Sequence, residues 1–376
     1  AIEGSVAITN TTISSSNLGT SLAGDLILDA RDLVGIDNSR LTSDGEQGQI
    51  FIGSANSVGL PLNPQQIAIA NSELTTQQFG QGTAGNLVLN ATDRVEITNS
   101  TLASDAFSEV SEGEEPLSGG SAGKIEVIGI NSVSVANSIL SSESDNANTD
   151  ETATLGDIQL TAAEGSVNLT QATVSTSNFG TGFAGDIVMS AIEDVTISQD
   201  SRLSSNGNFR RIAIGTFNLD AETLPLPTTV LPRRIAIESG SVLTTDNDAD
   251  PNAADVSPDV PLDAGDIILG ATERIAIANN SSIQSSSNRL GNAGYILLQG
   301  ETADISLSDS TLATSINANG NGVGGNLEIL ARSLSLSDNA QIDAGTFGVG
   351  DAGDIFVTSE GSVSLSGEDT RIFSDV

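Results

Sequence analysis

The chain has 376 residues and sets 49 Asp and Glu against 13 Lys and Arg, a formal charge of −36 with no histidine. Such a surface repels phosphate backbones and anionic membranes, which argues against nucleic acid or lipid as a partner. The absence of cysteine excludes disulfide scaffolds, zinc–thiolate sites and thiol chemistry, and no run approaches the ~18 apolar residues of a membrane span.

Taken from the amino terminus, GSVAITNTTISSS holds two short alternating segments, and the octet AGDLILDA follows at Ala23. Relatives of that octet return as AGNLVLNA from Ala84, AGDIVMSA from Ala184, AGDIILGA from Ala264 and AGDIFVTS from Ala352. Alignment on its glycine picks out Gly24, Gly48, Gly85, Gly123, Gly156, Gly185, Gly265, Gly294, Gly325 and Gly353, with Arg210 in the equivalent place before RIAI. The steps run from 24 to 55 residues while the motifs keep their length, so the variation belongs in loops. Insertions are expected at 59–66, 105–121, 143–155, 215–234 and 245–263.

Each unit carries three short segments that alternate with period two, a strand signal, and nowhere does a 3.6-residue period persist. In the unit at 184 they are DIVMSA, DVTIS (194–198) and SRLSS (201–205). Strands this short are unstable as isolated hairpins; they become stable when each unit stacks in parallel on the next. The expected fold is all-β: a right-handed parallel β-helix (solenoid) of about 11 to 12 coils, a rod roughly 55 Å long at about 4.8 Å per coil. Ile187, Met189, Ala191, Val195, Ile197 and Leu203 should point inward. Because residue 1 falls within a coil and residue 376 just after a third strand, 1–376 reads as one continuous segment of a longer chain.

The bend between second and third segments repeats as NTTI, NSRL, NSEL, NSTL and NSIL, with Asn10, Asn38, Asn71, Asn99 and Asn137 in register. Asn tolerates the left-handed backbone of such a bend, and its amide can bond the same amide one coil away. Later coils place Gln171, Asp200, Gly240, Asn280, Asp309 and Asn339 there, so the ladder should be partial.

With AGDI-x-L-x-A followed by V-x-I-x-N-S-x-L-x-S over nearly its whole length, the chain resembles the repeat region of filamentous haemagglutinin-type exoproteins of two-partner secretion systems, particularly cyanobacterial ones. The resemblance implies export through an outer-membrane transporter and an extracellular or outer-surface location on a Gram-negative-type bacterium. It also implies a structural or adhesive role, with neighbouring copies, flanking repeats or surface glycans as partners. The family's amino-terminal secretion domain is not visible in this sequence.

Three kinds of site compete with a purely structural reading. β-Helices also carry polysaccharide lyases and hydrolases acting on glycans, which need acid, base or calcium-holding groups on an exposed strand face. Asp25, Asp157, Asp186, Asp266 and Asp354 do stack beside the octet glycine, with Lys124 and Arg211 in the same column, but backbone bonding at the turn accounts for them and no enzyme is expected. Asp246, Asp248 and Asp250 have the alternate spacing with which a loop wraps oxygens around Ca²⁺, although Pro251 and Ser257 stand where an EF-hand wants Gly and Glu. Calcium is the one cofactor that the sequence raises.

The third candidate is a contact stripe. The outward column of the first strand reads Ile27, Phe51, Val88, Glu126, Gln159, Val188, Ala213, Ile268, Leu297, Glu328 and Phe356. Large apolar residues dominate it, whereas the matching column of the second strand has none. Strand propensity acts alike on both faces, so Ile27, Phe51, Val88, Val188, Ile268, Leu297 and Phe356 are the residues expected to meet a partner or a folded-over insertion.

Overall fold

A computed structural model describes residues 4–17, 21–53, 63–80, 82–107, 120–145, 156–215, 231–247 and 261–376. The regular structure among them is β, and the strands pair in parallel. In the coil that opens with AGDIVMSA, the first strand is Ile187–Ala191, the second Asp194–Ser198 and the third Arg202–Ser204. Third strands stack into a 12-stranded sheet, while first and second strands join in one of 21 strands. The chain is a parallel β-helix whose described residues make twelve coils, counted by their third strands.

Register follows the alternation read from the sequence. Ile187 lies opposite Ile158 and Ile212, and Met189 opposite Leu160 and Ile214, so aliphatic side chains form continuous internal columns. Ile187, Met189, Ala191, Val195, Ile197 and Leu203 are all buried, in one core that runs the length of the rod. Each large aliphatic side chain so removed from water contributes about 1.5–3 kcal/mol.

Two features depart from a coil of three short strands. Ile296–Ser308 and Leu327–Ser337 run unbroken through the first corner, where their pairing slips between Gly300 and Asp304. The arc after the third strand also stacks. Gln78–Phe79 pairs with Ala106–Phe107, and single bridges join Ala106 to Ser144, Ser144 to Asn178, and Ser287 to Ile316 to Thr346. Residues 106–107 and 144, expected within insertions, therefore keep register on a fourth side. Residues 59–62, 108–119, 146–155, 216–230 and 248–260 of the expected insertions lie outside the described residues.

The octet glycine owes its place to crowding. A Cβ on Gly85 would meet the carbonyl oxygen of Gly48 at 1.7 Å, one on Gly123 that of Gly85 at 2.1 Å, and one on Gly265 that of Arg210 at 1.4 Å. The last contact puts Arg210 in the glycine column, as aligned. Within this crossing the glycine carbonyls receive side-chain hydroxyls. Thr76 Oγ1 and Ser104 Oγ donate to Gly85 O at 2.7 and 2.5 Å, and Thr245 Oγ1 and Ser285 Oγ to Gly265 O at 2.6 and 2.7 Å. All four hydroxyl residues are buried, so a satisfied polar column runs beside the aliphatic ones.

Candidate interaction surfaces

At the bend between second and third strands, Asn10, Asn38, Asn71, Asn99 and Asn137 all hold the left-handed conformation, with φ of 53°, 47°, 50°, 48° and 48°. Gln171, Asp200, Gly240, Asn280, Asp309 and Asn339 share it. Where the bend is longer, two successive residues are left-handed, as at Gln199–Asp200 and Asn279–Asn280. The amide ladder itself is broken: Asn38 Nδ2 donates to Asn10 Oδ1 and Asn99 Nδ2 to Asn71 Oδ1, but Asn71 Nδ2 turns to Asp37 Oδ1.

The serine after the asparagine carries a more regular ladder, which sequence reasoning missed. The backbone N–H of Thr11, Ser39, Ser72 and Ser100 donates to the hydroxyl of Ser39, Ser72, Ser100 and Ser138 respectively, at 3.0–3.1 Å. Each of these serines in turn donates to a carbonyl two residues before it. The recurrent NS dipeptide was the available signal. Ser72→Ala leaves the buried N–H of Ser39 without its acceptor, and a loss of about 1 kcal/mol is expected in urea unfolding. An unchanged midpoint would show that the ladder adds nothing to stability.

This corner is also concave. A groove of about 650 Å³ runs along it across the first coils, lined by Asn10, Asn38, Asn71, Asn99, Thr12 and Arg40 among others. Arg40 approaches Glu73, a further lining residue, to 3.4 Å.

Beside the octet glycine, acidic and amide side chains accept the backbone N–H of the equivalent residue on the next coil. Asp25 Oδ1 accepts from Gln49, Asp157 Oδ1 from Asp186, Asp186 Oδ1 from Arg211, Asp266 Oδ1 from Tyr295, and Asn326 Oδ1 from Asp354. Arg211 also lies 3.3 Å from Asp186, whereas Lys124 turns to Glu126 and Gln159. Asp186 is buried, and that burial, with the Asp157 charge behind it, raises its carboxyl above the ordinary range against the pull of Arg211 and Arg210.

Burial likewise raises Glu143, Asp266 and Asp343. A carboxyl with a raised folded pKa contributes stability below its unfolded value and loses it as pH rises through the folded value. Glu273 and Asp304, lowered by their bonds to Arg233 and Arg332, act in the opposite sense, but they lose their contribution only below the ordinary carboxylate range. Thermal unfolding is therefore expected at a higher temperature at about pH 5 than at about pH 8, and relief of the net charge acts in the same direction. Asp186→Asn keeps an acceptor in place, as Asn86 and Asn326 do in the same column. It should flatten part of this slope while changing stability by less than about 1 kcal/mol. A slope left intact by the substitution rules out Asp186 as its source.

The contact stripe is less uniform than its sequence. Ile27 and Phe356, near the two ends, are 46% and 51% exposed, and Phe51, Val88, Val188 and Leu297 are half-buried. Ile268 takes the second of the two expected outcomes: it is only 5% exposed, in register with Ala213 at 4% and with Leu297. Its outward side is covered by residues of this same chain, so it is unavailable to a partner. The calcium candidate is only partly within view, since Asp248 and Asp250 lie outside the described residues. Asp246 Oδ1 already accepts the Ser286 N–H at 2.9 Å. Among the described residues, no group of three or more Asp, Glu, His or Cys side chains is placed to hold a metal, and no helix is long and apolar enough to cross a membrane.

Comparison with known proteins leaves these surfaces to be judged by their geometry, because no family model, curated protein or solved structure matches the chain.

Proposed function

We propose that the chain is a structural, adhesive segment of a secreted or surface-displayed bacterial exoprotein, in which the β-helix serves as a stiff stalk or filament. The observation that supports this reading is the parallel pairing carried from coil to coil, with the internal aliphatic columns continued by the next unit on both sides of the slip between Gly300 and Asp304. A solenoid built this way resists bending and offers long faces rather than a deep cleft. Export through an outer-membrane transporter, and a place outside the cell, belong to the same reading through the motif's resemblance to filamentous haemagglutinin-type repeats.

Contacts with neighbouring copies fall on the accessible part of the stripe. Electron micrographs of purified material should show rods or threads, and Ile27→Lys with Phe356→Lys should abolish their lateral bundling while leaving the circular dichroism of the β-helix unchanged. Globular particles, or bundling indifferent to both charges, would count against the stalk and against the stripe respectively.

A second reading, a β-helical polysaccharide lyase or hydrolase, draws on the buried Asp186 between Asp157 and Arg211. Release of unsaturated or reducing ends from acidic glycans, lost in Asp186→Asn, would favour it over the stalk.

A further inference from the structure

We infer that the concave corner over the first coils is a binding groove for a neutral, hydroxyl-rich polysaccharide that lies along the rod axis. This rests on the adhesive reading and gives it a ligand class. The groove, about 650 Å³, is shallow and open to solvent over most of its face, so it suits an extended chain laid along it and not a compact molecule that needs enclosure.

Its lining offers both senses of hydrogen bond. Asn10 and Asn99 are exposed, and among the described residues the Asn10 amide nitrogen and the Asn99 amide oxygen are unused. Asn38 donates to Asn10, and its own oxygen has no partner among the described residues. Arg40 is exposed and, among the described residues, pairs with Glu73, so most of its five donors stay available. Thr12 adds a hydroxyl that both donates and accepts. Coils stand about 4.8 Å apart, and the amide groups left over fall on the first, second and fourth of them, since both polar atoms of Asn71 are used by Asp37 and Asn99. A polyol chain, whose hydroxyls act in both senses, complements such a row; a chain with one kind of group does not.

Charge narrows the class. With a formal charge of −36 the protein repels polyuronates, and Asp37 and Glu73 stand at the groove itself. Polycations would adhere over the whole acidic surface without selecting this corner. The lining residues include no aromatic platform, so a single groove should bind weakly, and polymers should bind more firmly than short oligomers through repeated engagement.

The test compares dextran, alginate and chitosan as probes of the full 376-residue chain by affinity electrophoresis. Dextran should retard it, alginate should not, and chitosan retardation should vanish in salt. Asn10→Gly, Asn38→Gly and Asn99→Gly together remove the amides while allowing the left-handed backbone, which Gly240 already adopts at the same bend. This triple variant should weaken dextran binding by roughly tenfold or more, the loss of several hydrogen bonds to a weak ligand, whereas Asn280→Gly, in the same column beyond the groove, should not. Dextran should also slow amide hydrogen exchange at 10–12 and 38–40 in the unaltered chain, a readout that stands even if the triple variant unfolds. No retardation by dextran, equal retardation by alginate, unchanged binding in the triple variant, or protection elsewhere on the rod would each overturn the groove. None of these results bears on whether the protein forms rods in micrographs, so the stalk reading is tested separately.

Discussion

Gly325→Ala is expected to destabilise the rod by about 3 kcal/mol or more, among the largest effects available to a single methyl group. The added Cβ would stand 1.8 Å from the carbonyl oxygen of Gly294 and 2.7 Å from its carbon. Both are backbone atoms fixed by parallel pairing on either side, so no side chain can swing away to make room. The coils must separate, and with them the ladder between Ile296–Ser308 and Leu327–Ser337. Since each coil touches only its neighbours, the damage should be local: hydrogen exchange should accelerate around 294 and 325 and stay slow in the first coils. Gly35→Ala supplies the contrast. Its nearest neighbours lie 3.9 and 4.0 Å away, so the added methyl meets only ordinary contacts. It should be neutral or stabilising by up to ~1 kcal/mol through the unfolded chain. Equal losses in the two variants would show that strand glycines matter for flexibility rather than for close approach.

The second large effect is a coupling. Thr76 and Ser104, from successive coils, both donate to Gly85 O, and both are fully buried. Either Thr76→Val or Ser104→Ala leaves one donor on that carbonyl, and each alone should cost about 1 kcal/mol. The double variant strands the carbonyl in a dry interior with no side-chain donor. Its cost should exceed the sum of the single costs by about 1–2 kcal/mol, measured as a double-mutant cycle in urea. Strict additivity would mean that water or a shifted backbone replaces the hydroxyls, and that the polar column is dispensable.

Both predictions rest on features that were only half legible beforehand. The spacing of the octet located the glycines but not their reason; the reason is the distance between two backbones, which exists only once the coils are stacked. The serines of the NS dipeptides, and Thr76 with Ser104, read as ordinary polar turn residues. Their partners lie on a different coil, so no local pattern names them. The fourth side escaped for a related cause. Arcs such as Ser287, Ile316 and Thr346 share no alternation and bond through isolated bridges, and only register reveals that they are stacked. At Ile268 the sequence offered a partner or a cover from the same chain, and only the stacked structure picks out the position as covered.

The sequence by itself determined the strand alternation, the inward residues, the parallel stacking and the left-handed asparagine bends. Each of these follows from side-chain period or from one residue's conformational range, quantities that a short stretch carries alone. Only the tertiary structure decided which outward residues stay accessible, which hydroxyls enter the interior, where the concave corner lies and which carboxyl loses its water. Those depend on distances between coils some thirty residues apart, and no stretch of chain holds that information until its neighbour is laid on top of it.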